Sequence, residues 1–323
     1  MLPFLLIFLG GLFLFIFFSR PNIRYSPPTA DVETRSGRTT LFHYRSQVPK
    51  SIGEIVLVHG FCENHMYFQA LAEPLTAAGY DCLAINLFGY AGSIPNGDNE
   101  CSVRSYAQQV VEALRELKRL RMIKQLAAVW GHSMGGAAVY FAAEDIVRDH
   151  SEVKALFLEN PGFANNLGWL AGILKPLTWL ANFAGTRFVV QVFVNLLFAG
   201  PIKNPEAKRF IKQIIINHAP AHKVAAANVR SVFQQKFSSE LLSENVARKL
   251  CFVLAKKDKL ISFKKTEERI LRELQSNTRF QEGQVLVLTS ADHFVSLQAP
   301  QQAAEFALQR LRPSEVSSPS AIA

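Results

Sequence analysis

The chain has 323 residues, a formal net charge of +9, 49% hydrophobic residues and 19% charged ones. That length fits one large domain or two ordinary ones, and the apolar content excludes disorder as the main state. A mean hydropathy of +0.11 is high for a soluble enzyme, so some part of the chain must carry an apolar excess.

Met1–Phe18 carries the first part of it: 15 of its 18 residues are apolar and none is charged. The run meets the length criterion for a membrane-spanning helix, so we expect an N-terminal transmembrane helix over residues 1–19. A cleaved signal peptide is the alternative, opposed by the lack of a basic n-region and of a small-x-small cleavage site. Whether the segment is removed stays open. Arg20, Arg24, Arg35 and Arg38 follow the run, and the positive-inside rule then puts the rest of the chain on the cytoplasmic side. The absence of an Asn-x-Ser/Thr sequon fits that placement. So do four cysteines, Cys62, Cys82, Cys101 and Cys251, which show neither disulfide-framework nor zinc-site spacing.

Pro21–Thr29 is a Pro-rich linker within residues 20–30. A hairpin is expected from Val32–Arg35 and Thr39–Tyr44, turning at Ser36-Gly37. Strands and helices then alternate: strand Glu54–His59, helix Tyr67–Ala78, strand Asp81–Asn86, helix Val103–Leu120, strand Gln125–Trp130, helix Met134–Val147 and strand Val153–Glu159. After a long interruption come strand Leu250–Ala255, helix Phe263–Leu274, strand Gln284–Leu288, helix Pro300–Leu311 and a polar tail over 313–323. Short apolar strands separated by helices signal an α/β domain with a mostly parallel sheet covered on both faces.

The interruption, residues 162–245, separates two halves of one core, 31–161 and 246–312. Within it Trp169–Ala199 has 21 apolar residues of 31 and two of the three tryptophans. Lys175, Pro176, Gly185 and Arg187 cut it into pieces shorter than a membrane span. Two readings stand: a helical insertion packed on the core, or a lid whose apolar face meets an acyl chain or a lipid surface. Trp169, Trp179 and Phe183 are the candidate substrate contacts.

Gly131-His132-Ser133-Met134-Gly135 falls where a strand gives way to a helix, the context of a nucleophile elbow. Side chains at Gly131 and Gly135 would collide with the chain in so sharp a turn, and Ser133 would project at the top of the sheet. A serine hydroxyl needs an imidazole to take its proton and a carboxylate to orient that imidazole. Chain order Ser, Asp, His selects Asp258, after strand Leu250–Ala255, and His293, after the last strand. Asp292 is the rival carboxylate, but neighbours in sequence rarely face each other. The backbone N–H groups of Phe61 and Met134 are the expected oxyanion donors. His59 and His132 are assigned hydrogen-bonding roles, and Cys62 the role of a packing thiol.

With these motifs the chain resembles the α/β-hydrolase superfamily: His59-Gly60-Phe61-Cys62-Glu63-Asn64-His65, then Asn86-Leu87-Phe88-Gly89-Tyr90-Ala91-Gly92-Ser93, Gly131–Gly136, Asp258 and Asp292-His293. Within it the sequence is similar to the monoacylglycerol lipase and lysophospholipase group, the serine-aminopeptidase-like hydrolases. The resemblance implies the α/β-hydrolase fold with a cap inserted after the sixth strand, and the same triad and oxyanion donors. Asn86 departs from the family pattern, which usually has Asp there, so local hydrogen bonding should differ.

The expected function is therefore a membrane-anchored serine hydrolase cleaving carboxylic esters of lipophilic acyl chains through an acyl-enzyme, with no metal or organic cofactor. A thioesterase or acyltransferase using the same triad is one alternative, and a catalytically silent scaffold another. Ten basic residues against four acidic between Arg248 and Arg279 are read either as a solvated helix or as contacts to anionic lipid at a membrane. No basic-aromatic module points to nucleic acid. Acyl length, headgroup and oligomeric state are not legible.

Overall fold

The computed structural model describes residues 26–97, 101–163, 242–258 and 283–312, with Ile270 and scattered positions between 205 and 238. β1 (Ala30–Thr34) and β2 (Gly37–Tyr44) form the expected hairpin, with Val32 opposite Thr39. The remaining strands are β3 (Glu54–Val58), β4 (Asp81–Ile85), β5 (Leu126–His132), β6 (Ala155–Glu159), β7 (Leu250–Ala255) and β8 (Val285–Leu288). Their order across the sheet is β1-β2-β4-β3-β5-β6-β7-β8, and a two-residue strand, Ile94–Pro95, pairs with β2 as the ninth. The sheet is mixed. Pairing from β4 to β8 is parallel, whereas β2 meets β1, β4 and the short strand antiparallel.

Every residue of β3, β5, β6 and β7 is buried. Unbroken apolar runs such as Ile55-Val56-Leu57-Val58 do not alternate because helices cover both faces. On one face α2 (Val103–Arg119) and α3 (Met134–Asp149) bring Tyr106, Val110, Leu114, Ala138 and Ala142 against Val56, Val58 and Leu158. On the other, α1 (Gln69–Ala77) and α6 (Pro300–Leu311) bring Leu71, Leu75, Ala303 and Ala307 against Ile55, Leu57, Trp130 and Phe157. Two short helices, α4 (Glu244–Lys249) and α5 (Val295–Gln298), lie between and after the later strands. They are too short for periodicity to reveal.

The helix expected over Tyr67–Ala78 begins differently. The Asn64 side chain accepts from the Met66 N–H and starts a 3-10 turn, His65–Phe68, before α1 takes over at Gln69. The expected helix Phe263–Leu274 and the apolar stretch Trp169–Ala199 lie outside the described residues. The described insertion residues sit on the core: Ser231 Oγ accepts from the Val103 N–H at 2.8 Å at the start of α2, and Val224 and Val232 pack against the first apolar cluster.

One element of the expected fold class is corrected. Among the described residues no helix is long and apolar enough to cross a membrane, so the described fold is an α/β domain with a mixed sheet that does not include the expected transmembrane helix; Met1–Phe18 lies outside the described residues. The hydropathy criterion reads run length alone. In the described fold the apolar runs are strands of four to eight residues, and packing between sheet and helices removes them from water.

Because β3 to β8 run parallel, their C-terminal ends open at one edge of the sheet, where ligands of such sheets bind. The loops carrying residues 60–63, 133, 159–160, 258 and 290–293 all leave from there.

Candidate active site

Ser133 stands between the last residue of β5 and the first of α3 at φ 50 and ψ −115, a conformation that costs a non-glycine residue about 1–3 kcal/mol. Three hydrogen bonds hold it there. Its N–H donates to the Glu159 carbonyl at 2.8 Å, and its own carbonyl accepts from Ala137 and from Gly162, both at 3.0 Å. The expected roles of the flanking glycines have a geometric basis. A Cβ on Gly131 would lie 2.5 Å from the Gly135 carbonyl oxygen, and one on Gly135 would overlap the carbonyl oxygens of Val58 and His59.

The loop after β3 presses on this turn. A Cβ on Gly60 would sit 3.0 Å from the Ser133 Cβ, so this loop, which continues into the half-buried Phe61, packs on the serine turn. Met134 opens α3, so its N–H belongs to the first-turn amides that have no partner within the helix. Met134 thus follows Ser133 directly, and Phe61 follows the glycine that packs on it.

His293 Nδ1 donates to Asp258 Oδ2 at 2.7 Å, with both side chains buried. Asp258 is presented by the turn that ends β7, its N–H donating to the Ala255 carbonyl at 3.1 Å. Asp292 turns away into its own loop: Oδ1 accepts from the Phe294 N–H at 3.3 Å and from the Gln298 side chain. Burial raises the Asp292 pKa above the usual carboxylate value. With Nδ1 of His293 engaged by Asp258, Nε2 is the ring nitrogen left to receive a proton.

Several residues that sequence reasoning missed tie these parts together. Glu63 Oε2 accepts from the Gly60 N–H at 2.7 Å and lies 3.0 Å from His132 Nδ1. His132 Nε2 donates to the His293 carbonyl at 3.0 Å, and Asn160 Nδ2 donates to that same oxygen at 3.0 Å. Glu159, with no exposed surface, receives Tyr67 Oη at 2.6 Å, Trp130 Nε1 at 2.8 Å, and the N–H and Oγ of Ser296 at 2.9 and 2.5 Å. One sequence signal was available for Glu159. A charged residue closing an otherwise apolar strand, Ala155-Leu156-Phe157-Leu158-Glu159, stands where parallel sheets place function.

The two buried histidines beside Ser133 differ in charge. Burial lowers the pKa of His59 to about 3, and its contacts suit a neutral ring: Nδ1 donates to the Gly60 carbonyl at 2.8 Å and Nε2 accepts from the Leu87 N–H at 3.0 Å. For His132 burial also opposes the charge, but the carboxylates of Glu63 and Glu159 outweigh it and lift the pKa to about 9. Burial pushes the Cys62 thiol well up, so it stays protonated, as a packing thiol should. Asn86, where the family pattern has Asp, uses both ends of its amide. Oδ1 accepts from the His65 N–H at 2.9 Å and Nδ2 donates to Thr40 Oγ1 at 3.0 Å.

Trp169, Trp179 and Phe183 lie outside the described residues. Among the described residues no group of His, Cys, Asp and Glu could hold a metal ion. A strained serine at a strand-to-helix turn, a buried His–Asp pair and two backbone amides form an arrangement able to carry out acyl transfer.

Comparison with known proteins supports this at the level of fold. Residues 54–194 match the family described as alpha/beta hydrolase fold, and the chain has that fold. Similar solved structures include an esterase from Exiguobacterium antarcticum, with TM-score 0.64 and 15% identity over 88% of this chain and 99% of that one. A thermophilic esterase from Thermogutta terrifontis gives 0.65 and 17% over 88% and 100%. Naproxen esterase, carboxylesterase NP, from Bacillus subtilis gives 0.60 and 16% over 94% and 95%. No curated protein matches the sequence.

Proposed function

We propose that the chain is a serine hydrolase that cleaves carboxylic esters of lipophilic acyl chains, of the monoacylglycerol or lysophospholipid type, through an acyl-enzyme. The observation that carries the reading is the buried His293–Asp258 pair at 2.7 Å, anchored by the His293 carbonyl to the residue that precedes the strained Ser133. Ser133 Oγ attacks the ester carbonyl while His293 Nε2 takes its proton and Asp258 stabilises the imidazolium. The N–H groups of Phe61 and Met134 receive the developing oxyanion, a contribution of about 3–4 kcal/mol for each donor. Collapse of the tetrahedral adduct returns the proton from His293 to the departing alcohol and leaves the acyl group on Ser133. Water then repeats the sequence and releases the acid.

The preference for an apolar acyl chain is supported by the composition of Trp169–Ala199 and by the seating of the insertion near the serine, where Val232 approaches Gly162, whose N–H bonds the Ser133 carbonyl. The similar esterase structures agree with an ester substrate. The test is labelling by a fluorophosphonate probe and turnover of an ester panel of increasing acyl length. Labelling that disappears in Ser133→Ala, with rates that rise towards longer monoacyl esters, is expected. Folded wild type that takes no label would overturn the hydrolase reading, and rates that fall steadily with chain length would overturn the lipophilic substrate.

A further inference from the structure

The catalytic scheme uses Ser133, Asp258, His293 and two backbone amides, and leaves a buried polar cluster beside them unexplained. A backbone carbonyl has no proton to give, so the 3.0 Å contact to His293 O requires a proton on His132 Nε2. On the other side Nδ1 faces a Glu63 oxygen that already accepts from Gly60. One further proton is therefore held between Nδ1 and Oε2, and the carboxylates of Glu63 and Glu159 hold it on the ring. The Tyr67 ring stacks on this imidazolium with centroids 4.4 Å apart, while its hydroxyl bonds Glu159.

His132 ends β5 and Asn160 follows β6, and their two donors together occupy the His293 carbonyl. Asn160 Oδ1 also accepts from the Ala255 N–H at 2.9 Å, in the strand that leads to Asp258. The base is thus gripped twice, through its ring by Asp258 and through its backbone by His132 and Asn160. The same His132 reaches the loop that carries Phe61 by way of Glu63 and Gly60.

We infer that Glu63, His132 and Asn160 are positioning residues, which lock the backbone of the general base and the oxyanion loop to the turn bearing Ser133. The inference rests on the ester-hydrolase reading and adds residues that touch no reacting atom. Acyl transfer tolerates little displacement among base, nucleophile and oxyanion donors, so loosening this clamp should lower turnover and leave ester binding alone.

The test is steady-state hydrolysis of p-nitrophenyl butyrate by wild type, Ser133→Ala, Glu63→Ala, Glu63→Gln and Asn160→Gly. Glu63→Ala should lower kcat roughly 10- to 100-fold with KM within about twofold. The Gly60 N–H and His132 Nδ1 meet the same Glu63 oxygen, so Glu63→Gln keeps the Gly60 bond through its carbonyl but not the proton shared with His132, and its kcat should lie between those of Glu63→Ala and wild type at unchanged KM. Asn160→Gly tolerates the positive φ of 39 at that position and removes one donor to the His293 carbonyl together with the acceptor of the Ala255 N–H, so kcat should fall to an intermediate level at unchanged KM. A folded Glu63→Ala with wild-type kcat, a loss confined to KM, or a Glu63→Gln as impaired as Glu63→Ala would each overturn the positioning role. If Glu63→Ala does not fold, Asn160→Gly decides, and a wild-type kcat there overturns the role. Turnover that survives in Ser133→Ala overturns the hydrolase reading itself, an outcome distinct from any of these.

Discussion

At the scale of single residues, the choice between Asp258 and Asp292 is the sharpest structural statement about the site. Asp258 holds His293 Nδ1 at 2.7 Å, and an amide there would favour the wrong tautomer and remove the charge that stabilises the imidazolium. Asp258→Asn is therefore expected to lower kcat by roughly 10³–10⁴-fold. Asp292→Asn should leave kcat within about threefold, because its remaining oxygen still accepts from the Phe294 N–H. Kinetics of the two variants on one ester check both statements, and the reverse pattern would reassign the acid. Ser133, Asp258 and His293 could be picked out as a candidate set because each sits in a motif at a strand end. Glu63 carried no such signal and Glu159 only its place at a strand end, because their partners lie elsewhere in the chain: Glu63 meets His132 across 69 positions and Glu159 meets Ser296 across 137.

At the scale of elements, the turn between β5 and α3 is packed against the end of β3 with no room for a side chain at Gly135. A Cβ on Gly135 meets the backbone carbonyls of Val58 and His59 at the end of β3, where no flexible side chain can give way. Gly135→Ala should destabilise by at least about 1–3 kcal/mol and abolish fluorophosphonate labelling, since relief requires moving the oxyanion loop away from the serine. Urea denaturation together with labelling measures both. The start of α2 offers a separate check far from the chemistry: Ser102 Oγ accepts from the Ser105 N–H and Ser105 reciprocates, a capping box. Ser102→Ala should cost about 1 kcal/mol in urea unfolding and leave kcat untouched. The strands were legible as runs buried on both faces, but the 3-10 start before α1 and the four-residue α5 were not, because so few residues carry no periodicity.

At the scale of the whole molecule, two buried histidines whose pKa values are shifted in opposite directions shape the pH dependence of stability. His59 has a folded pKa of about 3, below its unfolded value near 6.5, so its contribution is complete above pH 6.5 and is lost as the pH falls towards 3. His132 has a folded pKa of about 9; its contribution is complete below pH 6.5 and is lost as the pH rises through 9. Burial lowers His65 as well, which reinforces the acid side. Thermal stability should therefore peak at roughly pH 6–7 and decline on both sides. In Glu63→Gln, which leaves His132 neutral, the decline between about pH 6.5 and 9 should flatten. Circular-dichroism melts of both proteins across that range are the measurement, and a wild-type melting temperature that climbs steadily to pH 9 would contradict the ion pair.

Local pattern was enough to establish the alternation of strands and helices, the elbow around Ser133, and the order in which Ser133, Asp258 and His293 appear. Those features are written in near neighbours: runs of apolar residues, a Gly-x-Ser-x-Gly spacing, an acid and a base just past strand ends. Apolar run length was a weaker guide, and the transmembrane helix it led us to include is not part of the described fold. Only the folded sheet decided that Glu63 meets His132 and Glu159 meets Ser296, and that His132 is charged while His59 is neutral. Parallel pairing carries the ends of β3, β5, β6, β7 and β8 to one edge, where buried polar groups distant in the chain must find one another as partners because water is excluded. Periodicity records which residues are buried; which buried charge meets which is settled by strand order.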